Sequence, residues 1–240
     1  MIRKKCRVCE HENFIDVVDY KKVCLSGNFY NYNKAKKDKK YSLKLIICKK
    51  CKHLQINNNL SPSLLFNHYV WKTSDSATNI SLIKNFLNEL SKMKLISKNT
   101  KALEIASNDG SLLKRMYKLY KNFCIGVEPA KNLKNEYTKN ISVLTNFFSL
   151  KLSKKIKIKY NQFDLIIARN VIAHVKNPID LFKGVNYILK PDGKFIIEVP
   201  YLLYFFKENQ YDNVFHEHNG FHSIKSINDL CISSNLFLNN

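Results

Sequence analysis

No apolar run in this 240-residue chain approaches the roughly 18 residues that a membrane-spanning helix needs. The opening residues, Met1 to Lys5, are basic, but Cys6 and further polar residues follow where a signal peptide would carry its apolar stretch. The expectation is therefore a chain with no membrane partner and a cytoplasmic location. Arginine is scarce as well. Only Arg3, Arg7, Arg115 and Arg169 occur, and the other basic residues are lysines spread through every segment. Arginine is the residue suited to bidentate recognition of bases and phosphates. The formal net charge of +21 points toward nucleic acid, but the scarcity of arginine and the scatter of the lysines argue against reading it so. Scattered lysines on solvated faces explain it, and they remain attractive to small phosphorylated molecules. No internal repeat is visible. The seven cysteines are an odd number in a chain without an export signal, which disfavours a disulfide framework.

What is present is paired. Cys6 and Cys9 form one CxxC, Cys48 and Cys51 another, across an interval rich in Lys, Asn and Tyr. Leu43 to Ile47 reads as a strand running into the second pair. Two such knuckles supply four thiolates for tetrahedral zinc, and the two-residue gap lets backbone amides support the sulfurs. The plainer alternative is four unrelated buried cysteines. Four protein ligands leave no open position, so the zinc is expected to be structural. Cys24 has no partner in the pattern, while Cys124 and Cys231 sit in apolar contexts and read as core.

Three segments are expected along the chain. Residues 1–55 form a zinc-binding domain. Residues 56–98 form a connector, with the aromatic and hydroxyl-rich stretch Tyr69 to Ser74, and an amphipathic helix. In that helix Ile80, Ile83, Phe86, Leu87, Leu90 and Met93 recur at helical spacing, to about residue 97. From residue 99 onward strands and helices alternate. Ala102–Ala106, Phe123–Val127, Ile141–Leu144, Phe163–Ala168 and Lys194–Val199 read as short buried strands. Helices near 111–120, 130–138 and 178–189 lie between them, and Pro191 to Gly193 reads as a turn into the last strand. The fold class is α/β, a parallel sheet with helices on both faces.

Leu103 to Gly110 leaves the first of these strands and opens a helix. Small residues there let backbone amides approach a ligand at the helix N-terminus. Asn108 tolerates a left-handed conformation where loops of this kind carry glycine. Glu128, about 20 residues on, is placed to accept hydrogen bonds from a ribose diol. The loop has one glycine where a dinucleotide fingerprint has three, and no Lys-Ser/Thr pair. A nucleoside cofactor without a pyrophosphate fits better than a P-loop or dinucleotide ligand, and an ordinary tight turn is the plainer alternative.

Phe215 to His218 places a carboxylate between two imidazoles. Such a cluster beyond a strand end reads as a metal site, as a proton carrier, or as two surface histidines on a polar loop. Histidines two apart share a side only in extended backbone, and the four-residue spacing of helical zinc pairs is absent, which weakens the metal reading.

Six stretches occur in order: Glu104–Gly110, Gly126–Pro129, Asn146–Phe148, Asn170–Val175, Glu198–Tyr201 and Phe215–His218. With the N-terminal Cys pairs they resemble the zinc-containing sugar C-methyltransferases of deoxysugar biosynthesis. Those are class I S-adenosylmethionine (SAM) enzymes acting on nucleotide-linked keto-sugars, and the resemblance covers essentially the whole chain. It implies a Rossmann-like SAM domain behind a small zinc-binding domain, with SAM and structural zinc (Zn) as cofactors. Glu104, Ala106, Asn108 and Gly110 would line the methionine end of SAM, and Glu128 would hold the ribose. Asn146, Phe147 and Asn170 would flank the adenine and the reacting end, although Asn146 stands where these enzymes often have aspartate. His218 would be the general base, with Glu217 orienting it or binding substrate, and Tyr69 and His174 would line the substrate side. The implied reaction is methylation alpha to a ketone through an enolate.

Two departures stand out. Phe215 replaces a tyrosine common in the family. The resembled enzymes also continue past residue 240 with further strands and a C-terminal domain. The resemblance therefore implies a sheet incomplete at its C-terminal side, Leu236 to Leu238 opening another strand, and a separate C-terminal polypeptide as one candidate partner. The alternatives are an O- or N-methyltransferase on another small molecule, or a non-catalytic module that binds SAM or a partner.

Overall fold

The chain is described by a computed structural model over residues 3–27, 31–35, 37–58 and 60–239. Met1, Ile2 and Asn240, which the sequence reading touches at its two ends, lie outside the described residues. In chain order the elements are β1 (Phe14–Val23), α1 (Tyr32–Ala35), β2 (Tyr41–Cys48), β3 (Leu54–Ile56), α2 (Pro62–Phe66), α3 (Ala77–Lys92), β4 (Ala102–Ile105), α4 (Ser111–Tyr120) and β5 (Cys124–Val127). There follow β6 (Ser142–Leu144), α5 (Leu150–Tyr160), β7 (Phe163–Arg169), α6 (Pro178–Ile188), β8 (Leu189–Glu198), α7 (Leu202–Lys207), β9 (Gly220–Phe221) and α8 (Ile224–Ile232). Two compact units result. The first comprises Met1–Leu65, Ile172–Phe182 and Val199–Asn240, the second Phe66–Val171 and Lys183–Glu198. The expected division at 55/56 and 98/99 runs along the chain, whereas the first unit gathers segments from both ends of it.

The second unit is built on a five-stranded sheet in the order β6-β5-β4-β7-β8, every pair parallel. Both faces of such a sheet are covered, so its strands β4 and β5 are almost wholly apolar, Glu104 of β4 being the exception. All four residues of β4 and all four of β5 are buried. Ile83, Leu87 and Leu90 of α3 and Leu112, Leu113 and Met116 of α4 pack with Ala102, Cys124, Leu165 and Ile167 of the strands. The chain runs outward from β4 to β5 and β6, then reverses to β7 and β8 on the other side. That reversal puts a topological switch point at the carboxyl end of β4, where ligands bind in open α/β sheets.

Four sequence expectations need correction here. The amphipathic helix ends at Lys92, not near 97. Lys94 turns left-handed at φ 56° and the Leu95 amide bonds back to the Leu90 carbonyl, so Met93 is exposed and not on the buried stripe. The segment 130–138 forms only a 3₁₀ stretch, Lys131–Glu136. The Glu128 carboxylate takes the Ala130 amide there, and Leu133 closes an i+3 bond to Ala130. Pro191 to Gly193 lies within β8 as a bulge instead of a turn. The register against β7 jumps from Phe163↔Leu189 to Leu165↔Lys194, so the proline escapes the ladder in the extra residues. Leu236 to Leu238 forms no strand. The Leu236 amide bonds to the Cys231 carbonyl and closes α8 through Asn235 at φ 55°.

The first unit carries a four-stranded antiparallel sheet, β1-β2-β3-β9. Its last strand comes from the far end of the chain, with Leu54↔Phe221 and Gln55↔Gly220 in register. Leu43, Leu45, Leu54 and Ile56 pack with Leu202, Phe205, Val214 and Phe221 to form the core. Among the described residues no helix is long and apolar enough to cross a membrane.

Candidate cofactor site, metal centre and histidine cluster

The metal centre is in the first unit. The Sγ atoms of Cys6, Cys9, Cys48 and Cys51 all lie within 4.8 Å of one another. The closest pairs cross between the knuckles, Cys6–Cys51 at 3.5 Å and Cys9–Cys48 at 3.6 Å. Tetrahedral zinc with bonds of about 2.3 Å sets its sulfurs about 3.8 Å apart, so the donor set fits the ion. The knuckles are built alike. Glu10 and Lys52, each one residue past a pair, adopt positive φ and return their amides to the carbonyls of Cys6 and Cys48. Without the ion, the contact with Cys51 lowers the Cys6 pKa against the opposing effect of burial, and the same contact and burial raise that of Cys51. Cys6, Cys48 and Cys51 are buried, and four sulfurs complete the ion's shell.

The cofactor loop belongs to the second unit. Ala106, Asn108 and Gly110 follow β4 with φ of 55°, 52° and 73°. The three alternate positions that a GxGxG loop gives to glycine are thus all left-handed here, although only one is glycine. Asn108 is held at both ends of its amide. Its Oδ1 accepts from the Thr73 amide at 2.9 Å, and its Nδ2 donates to the Trp71 carbonyl at 2.9 Å. Asp109 accepts from the amides of Ser74 and Ser111, both at 3.0 Å. Burial raises its pKa, but those hydrogen bonds outweigh burial and the net shift is downward. Residues 71–74 are thereby tied down on the loop, and Asn132 clamps Tyr69 through both its backbone amide and carbonyl.

Glu104, on β4, is buried, and its Oε2 has no hydrogen-bond partner among the described residues. Burial pushes its carboxyl well above the ordinary value, against the opposing pull of Arg169. An orphaned acid of this kind suits a ligand ammonium group. Glu128, at the end of β5, accepts from the Asn108 and Ala130 amides at 2.8 Å each. Burial still leaves its pKa raised. Asn170 follows β7 at φ 52°, and its Nδ2 donates to Glu198, which also pairs with Arg169. Asn146 is exposed and Phe147 half-buried in the loop after β6. Because β6, β5, β4 and β7 are parallel neighbours, all these residues lie at one edge of the sheet. Left-handed loop, orphaned acid and the strand-end carboxylate of Glu128 together fit SAM.

Sequence reasoning missed Tyr137 and Glu198. The Tyr137 hydroxyl bonds Ser107 Oγ and the Asn108 carbonyl, and its ring fills the space where Gly110 would otherwise carry a side chain. Glu198 stood in a quoted motif without a role, and its position at a strand end was the available signal.

The histidine cluster belongs to the first unit. His174 and His218 face each other with ring centroids 4.8 Å apart. His218 Nδ1 lies 2.7 Å from the Asn213 carbonyl, and His174 Nδ1 lies 3.0 Å from the Glu217 carbonyl. A carbonyl only accepts, so each Nδ1 carries the proton when the ring is neutral, and His218 presents a bare Nε2. Phe215 stacks on His218 at 4.0 Å. Burial pushes both imidazoles down, His174 to about 3 with His218 adding to the effect. Asn213, not the Glu217 side chain, orients His218. The Glu217 carboxylate instead receives Ser26 Oγ at 3.4 Å, and burial raises its pKa. His216 is buried beside Tyr41 and does not join the pair. Of the four residues expected around the substrate, Tyr69 falls in the second unit and the other three in the first.

Known proteins carry the same parts. Residues 77–237 match the family described as "Methyltransferase domain", and residues 6–66 match one described as "Putative zinc binding domain". The chain is 28% identical over 225 residues to the C-methyltransferase NovU of Streptomyces niveus, covering 93% of this chain. It spans 53%, about half, of that relative's length. Among solved structures, a SAM-dependent methyltransferase from Archaeoglobus fulgidus superimposes with a TM-score of 0.52 at 14% identity, over 63% of this chain and 66% of that one. The matched methyltransferase model covers more than half of the residues, and the cysteine cluster agrees with the second match. The chain belongs to the methyltransferase-domain family, as a class I SAM-dependent methyltransferase fold carrying an N-terminal zinc-binding domain.

Proposed function

We propose that the chain is the cofactor- and base-bearing part of a C-methyltransferase acting on a nucleotide-linked keto-sugar, at the carbon alpha to the ketone. The observation that carries this reading is the 2.7 Å contact of His218 Nδ1 with the Asn213 carbonyl, which assigns the proton to Nδ1 and leaves Nε2 as the acceptor of a ring whose pKa burial lowers. The ordered motifs, and a similar protein named as a C-methyltransferase, support the same reaction class.

SAM, when bound, supplies an electrophilic methyl group. Glu104, Ala106, Asn108 and Gly110 would hold its amino-acid end, Glu128 its ribose, and Asn146, Phe147 and Asn170 its adenine and reacting end. His218 takes the proton alpha to the ketone at Nε2 and passes through an imidazolium steadied by the Asn213 carbonyl. His174, kept neutral, adds no cation to oppose that charge. Loss of that proton leaves an enolate, nucleophilic at its alpha carbon; that carbon would receive the methyl group while the sulfonium's methyl–sulfur bond breaks and leaves its electron pair on sulfur. The half-buried Glu217 carboxyl would hydrogen-bond a sugar hydroxyl, and Tyr69, whose backbone is pinned by Asn132, would supply a phenol toward the substrate. The four cysteines hold structural zinc and take no part in proton transfer.

The test is methyl transfer from methyl-labelled SAM to nucleotide-linked keto-deoxysugars by the zinc-loaded protein. Label on the carbon beside the carbonyl is expected. Label on oxygen or nitrogen of a non-ketone acceptor, with normal turnover by His218→Ala, removes the reading.

A further inference from the structure

Arg7 sits inside the first zinc knuckle, between Cys6 and Cys9, and is 1% exposed. Its guanidinium donates to three backbone carbonyls from three separate segments. Nε reaches Asn219 at 3.1 Å, Nη1 reaches Lys176 at 3.2 Å and Nη2 reaches Asn58 at 2.8 Å. Its own amide donates to Gln55 Oε1 at 2.8 Å. Asn219 directly follows His218, and Lys176 lies two residues beyond His174. The Asn219 side chain closes the arrangement by donating to the His174 carbonyl at 2.6 Å. One side chain of the metal module therefore grips both histidine-bearing loops.

Burying a guanidinium is costly unless nearly every donor is satisfied. None of its hydrogen bonds goes to a carboxylate; the guanidinium is met by three backbone carbonyls. The planar fork has fixed donor directions, so three carbonyls bound to it have fixed relative positions. A lysine, a point charge on a flexible stem, cannot hold three carbonyls in the same geometry. Packing alone does not need such a group, since apolar residues of similar volume fill a core at lower cost.

We infer that Arg7 is a positioning residue that couples the zinc knuckle to the loops carrying His174 and His218. Through it, the structural metal module sets the orientation and tautomer of the working histidines. The inference rests on the functional reading of those two histidines. It gives the zinc domain a role beyond holding its own fold.

The experiment uses the full zinc-loaded chain labelled with ¹⁵N in histidine, comparing wild type, Arg7→Gln and Arg7→Lys. Zinc per chain, circular dichroism, long-range ¹H–¹⁵N ring spectra and SAM affinity by calorimetry are read on each. In wild type, His218 and His174 are expected as single Nδ1-protonated tautomers. In Arg7→Gln, with one zinc retained, both rings are expected to become tautomeric mixtures titrating nearer the ordinary histidine value. SAM affinity should stay within about twofold, and proton exchange at the substrate's alpha carbon should slow by about tenfold. Arg7→Lys should fall between. Unchanged ring spectra in either folded, zinc-loaded variant overturn the inference. Failure of both variants to keep zinc and fold also rejects it, since Arg7 is then a folding determinant only. If the rings respond to Arg7 but His218→Ala leaves methyl transfer intact, the coupling stands and the functional reading fails.

Discussion

Ala106 and Asn108 share a left-handed backbone but pay for it differently. Alanine gains nothing there, at a strain of about 1–2 kcal/mol, while Asn108 returns hydrogen bonds to Thr73, Trp71 and Asp109. Ala106→Gly is expected to be neutral to slightly stabilising, by about 0.5 kcal/mol once the freer unfolded chain is subtracted. Asn108→Gly should lose about 1–3 kcal/mol and weaken SAM binding. Urea unfolding and calorimetry separate the two. Asn108 was legible as a glycine substitute because asparagine is known for that conformation; Ala106 was not, because nothing in alanine announces it. His218 gives the pH prediction. Burial puts its folded pKa below the ordinary 6.5, so the base is neutral at pH 7. The methyl-transfer rate should be flat through neutrality and fall only as pH drops below that value, as kcat/KM against pH will show. Glu104 has the opposite shift. Its raised pKa favours folding at low pH, and that contribution declines as pH rises from 4.5 through the raised value. Glu104→Gln should flatten this decline in SAM-free unfolding midpoints.

At the level of elements, strands were easier to read than their connections. Runs such as Cys124–Val127 are strands because a buried parallel sheet demands near-continuous hydrophobicity, and Ala102–Ile105 stays readable although Glu104 interrupts it. α5 escaped because lysines separate its apolar positions and of those only Leu152 and Ile156 are buried, and its start rests on the Ser149 cap. β5 carries a further constraint. A Cβ at Gly126 would sit 3.2 Å from both Ser107 Cβ and Tyr137 Cε1. Gly126→Ala should therefore cost about 1–3 kcal/mol by overpacking, measured by urea unfolding, with the cofactor loop displaced through Ser107 and Tyr137.

Across the whole molecule, what the sequence could not reveal was association over long separations. β9 completes a sheet begun by β1, β2 and β3, and the histidine loops share a unit with the cysteine knuckles. Spacing within a motif is local, whereas register between distant strands is decided by packing. Metal removal should expose this arrangement. Zinc binding is folding free energy in such modules, so chelation should abolish the cooperative melt of the first unit while the second keeps SAM affinity, followed by circular dichroism and calorimetry.

The most direct measurement is deuterium uptake in heavy water at the carbon alpha to the ketone of a nucleotide-linked keto-deoxysugar, with zinc-loaded wild type and His218→Asn. Wild type should exchange that proton, and His218→Asn should lose about 10²-fold or more while binding SAM normally. Equal exchange by both proteins would contradict the assignment of His218 as the base.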